Sequence, residues 1–328
     1  MIQRRLLVTL LAMVSVAGCK GSKSDKAEPS NGSASRIKPV PTPQTPTPTP
    51  TPNGSGSAID PPPAVGSAIT RPFFYKVEKD GKTSYLLGTW HSGVDGEKQL
   101  PTAVWDAFAA AKTFALEVDP TDQLSITGSK RTDASTLEDE LGAEYWARLE
   151  TLVGPSAQSM RQMKPFAAVG MLQFKDMPQT PSMDVTFANK ARDAKKQLVF
   201  LEPAALQIKL LEKWIDTRVL KQTIDDYDAT KHMLEDALVA YMVGDDAALA
   251  AMAVPRDEMK DAGFTDAEVD QMTNELIYDR NAAWLEKLDG LFTAGDAFVA
   301  VGAAHLIGPK SVVELLGAKG YTITRVGA

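Results

Sequence analysis

The chain has 328 residues, with 35 Lys and Arg against 42 Asp and Glu and a formal net charge of -7. Its 11 Phe, 5 Trp and 7 Tyr all lie at or beyond Phe73, so the first 70 residues lack the apolar surface that would offset the entropy of ordering them. One cysteine excludes an intrachain disulfide, and with only 3 histidines zinc fingers and iron-sulfur clusters are excluded as well.

The chain opens with Arg4 and Arg5 and an apolar run over residues 6–17. That run is shorter than the roughly 20 residues a helix needs to cross a bilayer core, so residues 1–18 read as a secretory leader. It ends in Val16-Ala17-Gly18-Cys19, which resembles a bacterial lipobox, with Cys19 as the lipidated residue. Acyl chains there would anchor the protein to a membrane, since each buried methylene contributes about 0.8 kcal/mol. Residues 19–70 follow as a disordered tether: Ser, Gly and Lys first, then a Pro-Thr alternation over 41–52 and a second proline cluster at Pro61-Pro62-Pro63. In polyproline II form, at about 3.1 Å per residue, it would reach on the order of 150 Å.

Residues 71–328 form the folded body. Setting aside Arg4, Arg5 and the five positive and three negative side chains of residues 20–70 leaves it at -11. An acidic body argues against nucleic acid as a partner, because phosphate neutralisation by Lys and Arg supplies most of that affinity. Strands are predicted over 73–77 and 84–89 around the hairpin signal Asp80-Gly81. A helical face follows at Val104, Ala107, Phe108 and Ala111, then a buried strand over 113–118. Residues 134–195 read as helices broken near Gly154-Pro155 and near Pro178 and Pro181, and 197–201 as a strand. Pro203 suits the first turn of another helix, and 203–253 reads as a helical lobe or layer with no evident chemistry. A helix through Arg280, Trp284 and Leu291 leads to a wholly apolar strand at 297–302. A last helix begins near Pro309, and residues 321–326 close the chain as a strand. This alternation predicts an α/β fold with a mixed, largely parallel central sheet covered by helices.

The chemistry concentrates in an internal duplication: Tyr85-Leu86-Leu87-Gly88-Thr89-Trp90-His91 and Val299-Ala300-Val301-Gly302-Ala303-Ala304-His305. Each is an apolar strand, a glycine, two residues and a histidine, which presents the histidine just beyond a strand's carboxyl end, where open α/β sheets bind ligands. The remaining histidine, His232, sits among Asp225, Asp226, Asp228, Lys231 and Glu235 and reads as part of a solvated helix face. Asp184 reads as a cap of the helix that follows it. The chain lacks a Gly-x-Ser-x-Gly elbow, a His-Glu-x-x-His pair and a P-loop, and the folded part lacks Gly-x-Gly-x-x-Gly. Esterase, zincin, nucleotidase and dinucleotide readings therefore lack their usual motif support.

From about Phe74 to Val326 the order of motifs resembles the TraB/GumN family, related to the TIKI proteins. The resemblance rests on the first Gly-x-x-His block, Leu116-Glu117-Val118-Asp119, Met183-Asp184, Leu201-Glu202, Arg280-Asn281, and Val301 through Pro309. It implies a metal-dependent, protease-like site, with His91, His305 and Glu117 as ligands of a divalent cation such as Mn, Co, Fe or Zn. Glu202 would complete the shell or act as general base, and Arg280 and Asn281 would bond a scissile carbonyl or a substrate carboxylate. Trp90 is bulkier than the usual residue before the first histidine and would narrow the substrate site. The reading is an extracytoplasmic hydrolase, lipid-anchored in a bacterial cell envelope and acting on a peptide or protein. A non-catalytic envelope protein that binds a peptide or envelope component in the same crevice is the alternative. Cys19→Ser is expected to move the full chain from the membrane to the soluble fraction on cell fractionation; retention in the membrane would remove the anchor.

Overall fold

The computed structural model describes residues 67–253 and 256–327; the leader, Cys19 and nearly all of the tether lie outside the described residues. The chain joins the core at Ile69, which is buried and donates its N–H to the Gln99 carbonyl at 2.9 Å. Thr70 N–H follows with a bond to the Met242 carbonyl at 3.0 Å. The packed body thus takes in two residues ahead of residue 71, because Ile69 supplies apolar surface that the Pro-Thr segment lacks.

Six strands form one sheet in the order β4-β3-β5-β2-β1-β6. They are β1 (Phe74–Lys79), β2 (Lys82–Thr89), β3 (Thr113–Leu116), β4 (Gln197–Phe200), β5 (Ala297–Gly302) and β6 (Thr322–Arg325). Four neighbouring strands, β4, β3, β5 and β2, run parallel, while β1 is antiparallel to both β2 and β6. The mixed, mostly parallel sheet expected from the alternation of patterns is the one found. The first hairpin is longer than its apolar runs suggest. Asp80 and Gly81 both have positive φ, 49° and 72°, as a type I′ turn requires, and its twist lets the ladder continue out to Lys79↔Lys82.

Every residue of β5 is buried, as expected of a central parallel strand covered on both faces. On one face the helix Thr102–Ala110 brings Phe108 edge-on to Phe114 and Phe298, with ring centroids 5.4 and 5.5 Å apart. Phe187, from the helix Met183–Asp193, stacks on Phe298 at 5.6 Å. The helix Asp279–Ala294 buries Trp284, Leu288 and Phe292 and contacts β1, β2 and β5. Residues 203–253 are helical as expected, with helices at Ala204–Trp214, Thr217–Asp225, Tyr227–Val243 and Asp246–Ala253.

Gly88 has a packing reason to be glycine. A Cβ there would lie 2.8 Å from Phe73 Cβ and 3.1 Å from Ala303 Cα, and its own N–H is held by the Phe73 carbonyl at 2.7 Å. Both obstacles are rigid, so Gly88→Ala is expected to lower stability by about 1–3 kcal/mol in denaturant unfolding. Gly290 sits in an exposed helix interior with open space around its Cβ position, and Gly290→Ala should raise stability by roughly 0.5–1 kcal/mol.

Candidate functional site

The sheet gathers four of the predicted side chains at one edge. Thr89 and Gly302 are the last paired residues of β2 and β5, so His91 and His305 leave neighbouring parallel strands on the same side. Glu117 follows β3 directly, and its Oε1 accepts the Gly302 N–H at 2.7 Å. Glu202 lies just past β4 and donates its N–H to the Glu117 carbonyl at 2.9 Å. All lie at the carboxyl ends of parallel strands, where side chains from separate strands can converge.

Arg280 and Asn281 arrive from the helix Asp279–Ala294. A π turn at Asn274–Tyr278 precedes it, and within that turn the Leu276 carbonyl accepts from Arg280 Nη1 at 2.9 Å. The other Arg280 donors are engaged too. Nε lies 3.0 Å from both Glu202 carboxylate oxygens, Nη2 bonds Glu202 Oε1 at 2.6 Å and Glu117 Oε2 at 2.7 Å, and Nη1 reaches His305 Nε2 at 3.2 Å. Trp284 Nε1 donates to Glu202 Oε2 at 3.0 Å, and its ring packs on His305 at 4.5 Å.

The tautomer of His305 follows from its neighbours. Asn281 Nδ2 donates to the Lys310 carbonyl at 2.9 Å, which turns Oδ1 toward His305 Nδ1 at 2.7 Å. An amide oxygen only accepts, so Nδ1 carries the proton and Nε2 accepts from Arg280. His305 is fully buried. Burial, the guanidinium of Arg280 and the charge of His91 push its pKa well below the ordinary imidazole value, and the ring is neutral.

His91 has a different partner. Its Nδ1 bonds Asp184 Oδ2, whose carboxylate also accepts from Thr89 Oγ1 at 3.0 Å and Ser182 Oγ at 3.3 Å. Burial alone would push the Asp184 carboxyl up; the charge of His91 and these hydrogen bonds reverse that and hold it below the usual range. Asp184 is therefore not the cap of its helix. Ser182 occupies the cap position, and the Asp184 side chain turns inward to the imidazole, a role that sequence reasoning missed although Met183-Asp184 was among the matched motifs.

Two carboxylates share one guanidinium. Burial raises the pKa of Glu117, Arg280 opposes this, and the adjacent Glu202 raises it further. Arg280 stays charged, since Glu117 and Glu202 offset the cost of its own burial.

The remaining predicted residues fall elsewhere. The side chain of Trp90 is fully buried and packs on Tyr241 at 5.3 Å, so it supports the His91 turn from inside the core. His232 is exposed, 3.3 Å from Glu235, as its polar surroundings suggest. From the region with no evident chemistry, Gln207 Nε2 reaches Glu117 Oε2 at 3.2 Å and the Tyr241 hydroxyl donates to the Gly88 carbonyl at 2.9 Å.

The residues do not fit a divalent ion as they stand. Among the described residues no group of three or more His, Cys, Asp or Glu side chains is gathered to hold one. Glu117 and the basic nitrogen of His305, two of the three expected ligands, both bond Arg280.

Fold and site define an α/β protein with a buried His, Glu and Arg constellation at the carboxyl edge of its parallel strands. The TraB/PrgY/gumN family model matches residues 73–325, and the chain belongs to that family. No curated protein and no solved structure matches it significantly. Asn281→Ala would leave His305 Nδ1 and the Lys310 carbonyl without this partner and should cost about 1–3 kcal/mol in thermal unfolding. In the parent protein, nitrogen NMR at neutral pH is expected to show His305 as the Nδ1–H tautomer.

Proposed function

We propose that this TraB/PrgY/gumN protein is a hydrolase of peptide-like bonds, held outside the cytoplasm by a lipid on Cys19. The observation that carries the reading is the pair formed by His91 and Asp184 at the strand edge, beside the Glu117 and Arg280 network. A buried, ionised carboxylate on Nδ1 orients an imidazole and stabilises its protonated form, which makes Nε2 the basic nitrogen. In its neutral form His91 takes a proton from water as the oxygen bonds to the carbonyl carbon, and Asp184 balances the imidazolium that forms. His91 returns that proton to the departing amine as the carbon-nitrogen bond breaks.

The Mn-, Co-, Fe- or Zn-assisted form of the reaction rests on the family resemblance, and no step above passes through an ion. The burial of the whole cluster by the protein itself, with His305 and Asn281 at 0% and His91 at 7% exposure, limits access for turnover and so favours a second reading. In that reading the crevice encloses a peptide or envelope component without cleaving it.

Incubating the full chain with a diverse peptide library and reading products by mass spectrometry separates the two. The hydrolase reading expects cleavage that falls roughly 10²- to 10⁴-fold in His91→Ala and Asp184→Asn. Retained peptides without new termini would instead establish capture.

A further inference from the structure

We propose that Arg280 is the resident cation of this site: its guanidinium occupies the place a divalent ion would need between Glu117, Glu202 and His305, so that Arg280 and such an ion exclude one another. The inference concerns what neutralises the cluster and holds whether or not the crevice turns over a substrate.

A guanidinium has five N–H donors in a fixed fork. Here all five are taken by protein groups: both Glu202 oxygens share Nε, Nη2 bridges Glu202 and Glu117, and Nη1 divides between the Leu276 carbonyl and His305 Nε2. None is left for a substrate carbonyl, the role expected of Arg280. The guanidinium carbon lies 4.9 Å from the Trp284 ring centroid, and Trp284 is itself bonded to Glu202, so the fork is held by its neighbours as well as holding them. Two carboxylates and a neutral imidazole nitrogen are also a ligand set that suits Mn, Co or Zn. They would become such a set on losing the guanidinium.

The test uses the full chain, stripped with chelator, dialysed, and then offered Mn²⁺, Co²⁺ or Zn²⁺ separately. Elemental analysis and thermal unfolding are the readouts. Wild type is expected to retain no stoichiometric ion and to keep its Tm. Arg280→Gln should unfold at lower temperature without added ion. It should then take up close to one ion per chain, with a Tm rise of about 5–10 °C at a concentration a hundredfold above Kd. Adding Glu202→Gln to that variant should abolish the rise, because one carboxylate and its charge are gone.

One ion per wild-type chain, lost in both His305→Ala and Glu117→Gln, would overturn the proposal. So would an Arg280→Gln protein that folds and takes up none of the three ions. If Arg280→Gln does not fold, the wild-type measurement decides, and Arg280→Lys, which keeps a positive charge at the centre, should likewise show no ion-dependent shift. Peptide cleavage is not a readout of this test, so its outcome is separate from that of the hydrolase reading.

Discussion

A guanidinium buried between two carboxylates is the interaction on which the arrangement of this protein depends. Each of these charges would be costly to bury alone, and mutual attraction compensates only where hydrogen bonds fill the remaining donors and acceptors. Arg280 meets that condition through five donors directed at Glu117, Glu202, His305 and Leu276. The acceptors come from the residues just after β3 and β4, from the turn after β5 and from the π turn ahead of the helix. Folding any one of these elements incorrectly leaves a buried charge or lone pair exposed to an apolar interior. The ion cluster therefore ties the strand ends to one position relative to the helix.

The sheet topology determines what the cluster can offer. Because β4, β3, β5 and β2 run in one direction, their carboxyl ends deliver Glu202, Glu117, His305 and His91 in that spatial order. The antiparallel strand β1 and the edge strand β6 lie on the far side of β2 and contribute none of these groups. Arg280 bonds the first three. His91, at the end of the row, is instead tied to Asp184 from the helix Met183–Asp193.

Much of this was legible in the residues. Strand positions followed from apolar runs between Gly, Pro and Asp punctuation, and β5 matched its expected limits because a wholly apolar run bounded by Gly295-Asp296 and Gly302 permits few alternatives. The duplicated Gly-x-x-His placed both histidines correctly at strand ends, since the period of a strand and a following turn are local properties. What each histidine touches is not local. Asp184 lies 93 positions from His91 and Arg280 lies 163 from Glu117, so no periodicity relates them. An Asp after Ser182 at a helix start carries the same local signature as a cap. The inward rotation of Asp184 is decided by the imidazole it meets. The helices of residues 203–253 were legible as helices while their contribution was not: Gln207 and Tyr241 occur at ordinary positions of an amphipathic pattern, and only packing turns them toward Glu117 and the Gly88 carbonyl.

The two imidazoles share a motif and a sheet edge, yet their second partners make them chemically unequal. Burial opposes a charge on His305, the nearby guanidinium would repel one, and Asn281 is neutral and gives no compensation for it. Asp184 carries a negative charge held in place by Thr89 and Ser182, so a proton arriving on His91 meets a carboxylate across the ring. His91 thus faces an anion across its ring, whereas His305 faces an amide and a guanidinium. The duplication supplies the geometry twice; the neighbour of each ring, one anionic and one amide, makes the two histidines chemically unequal.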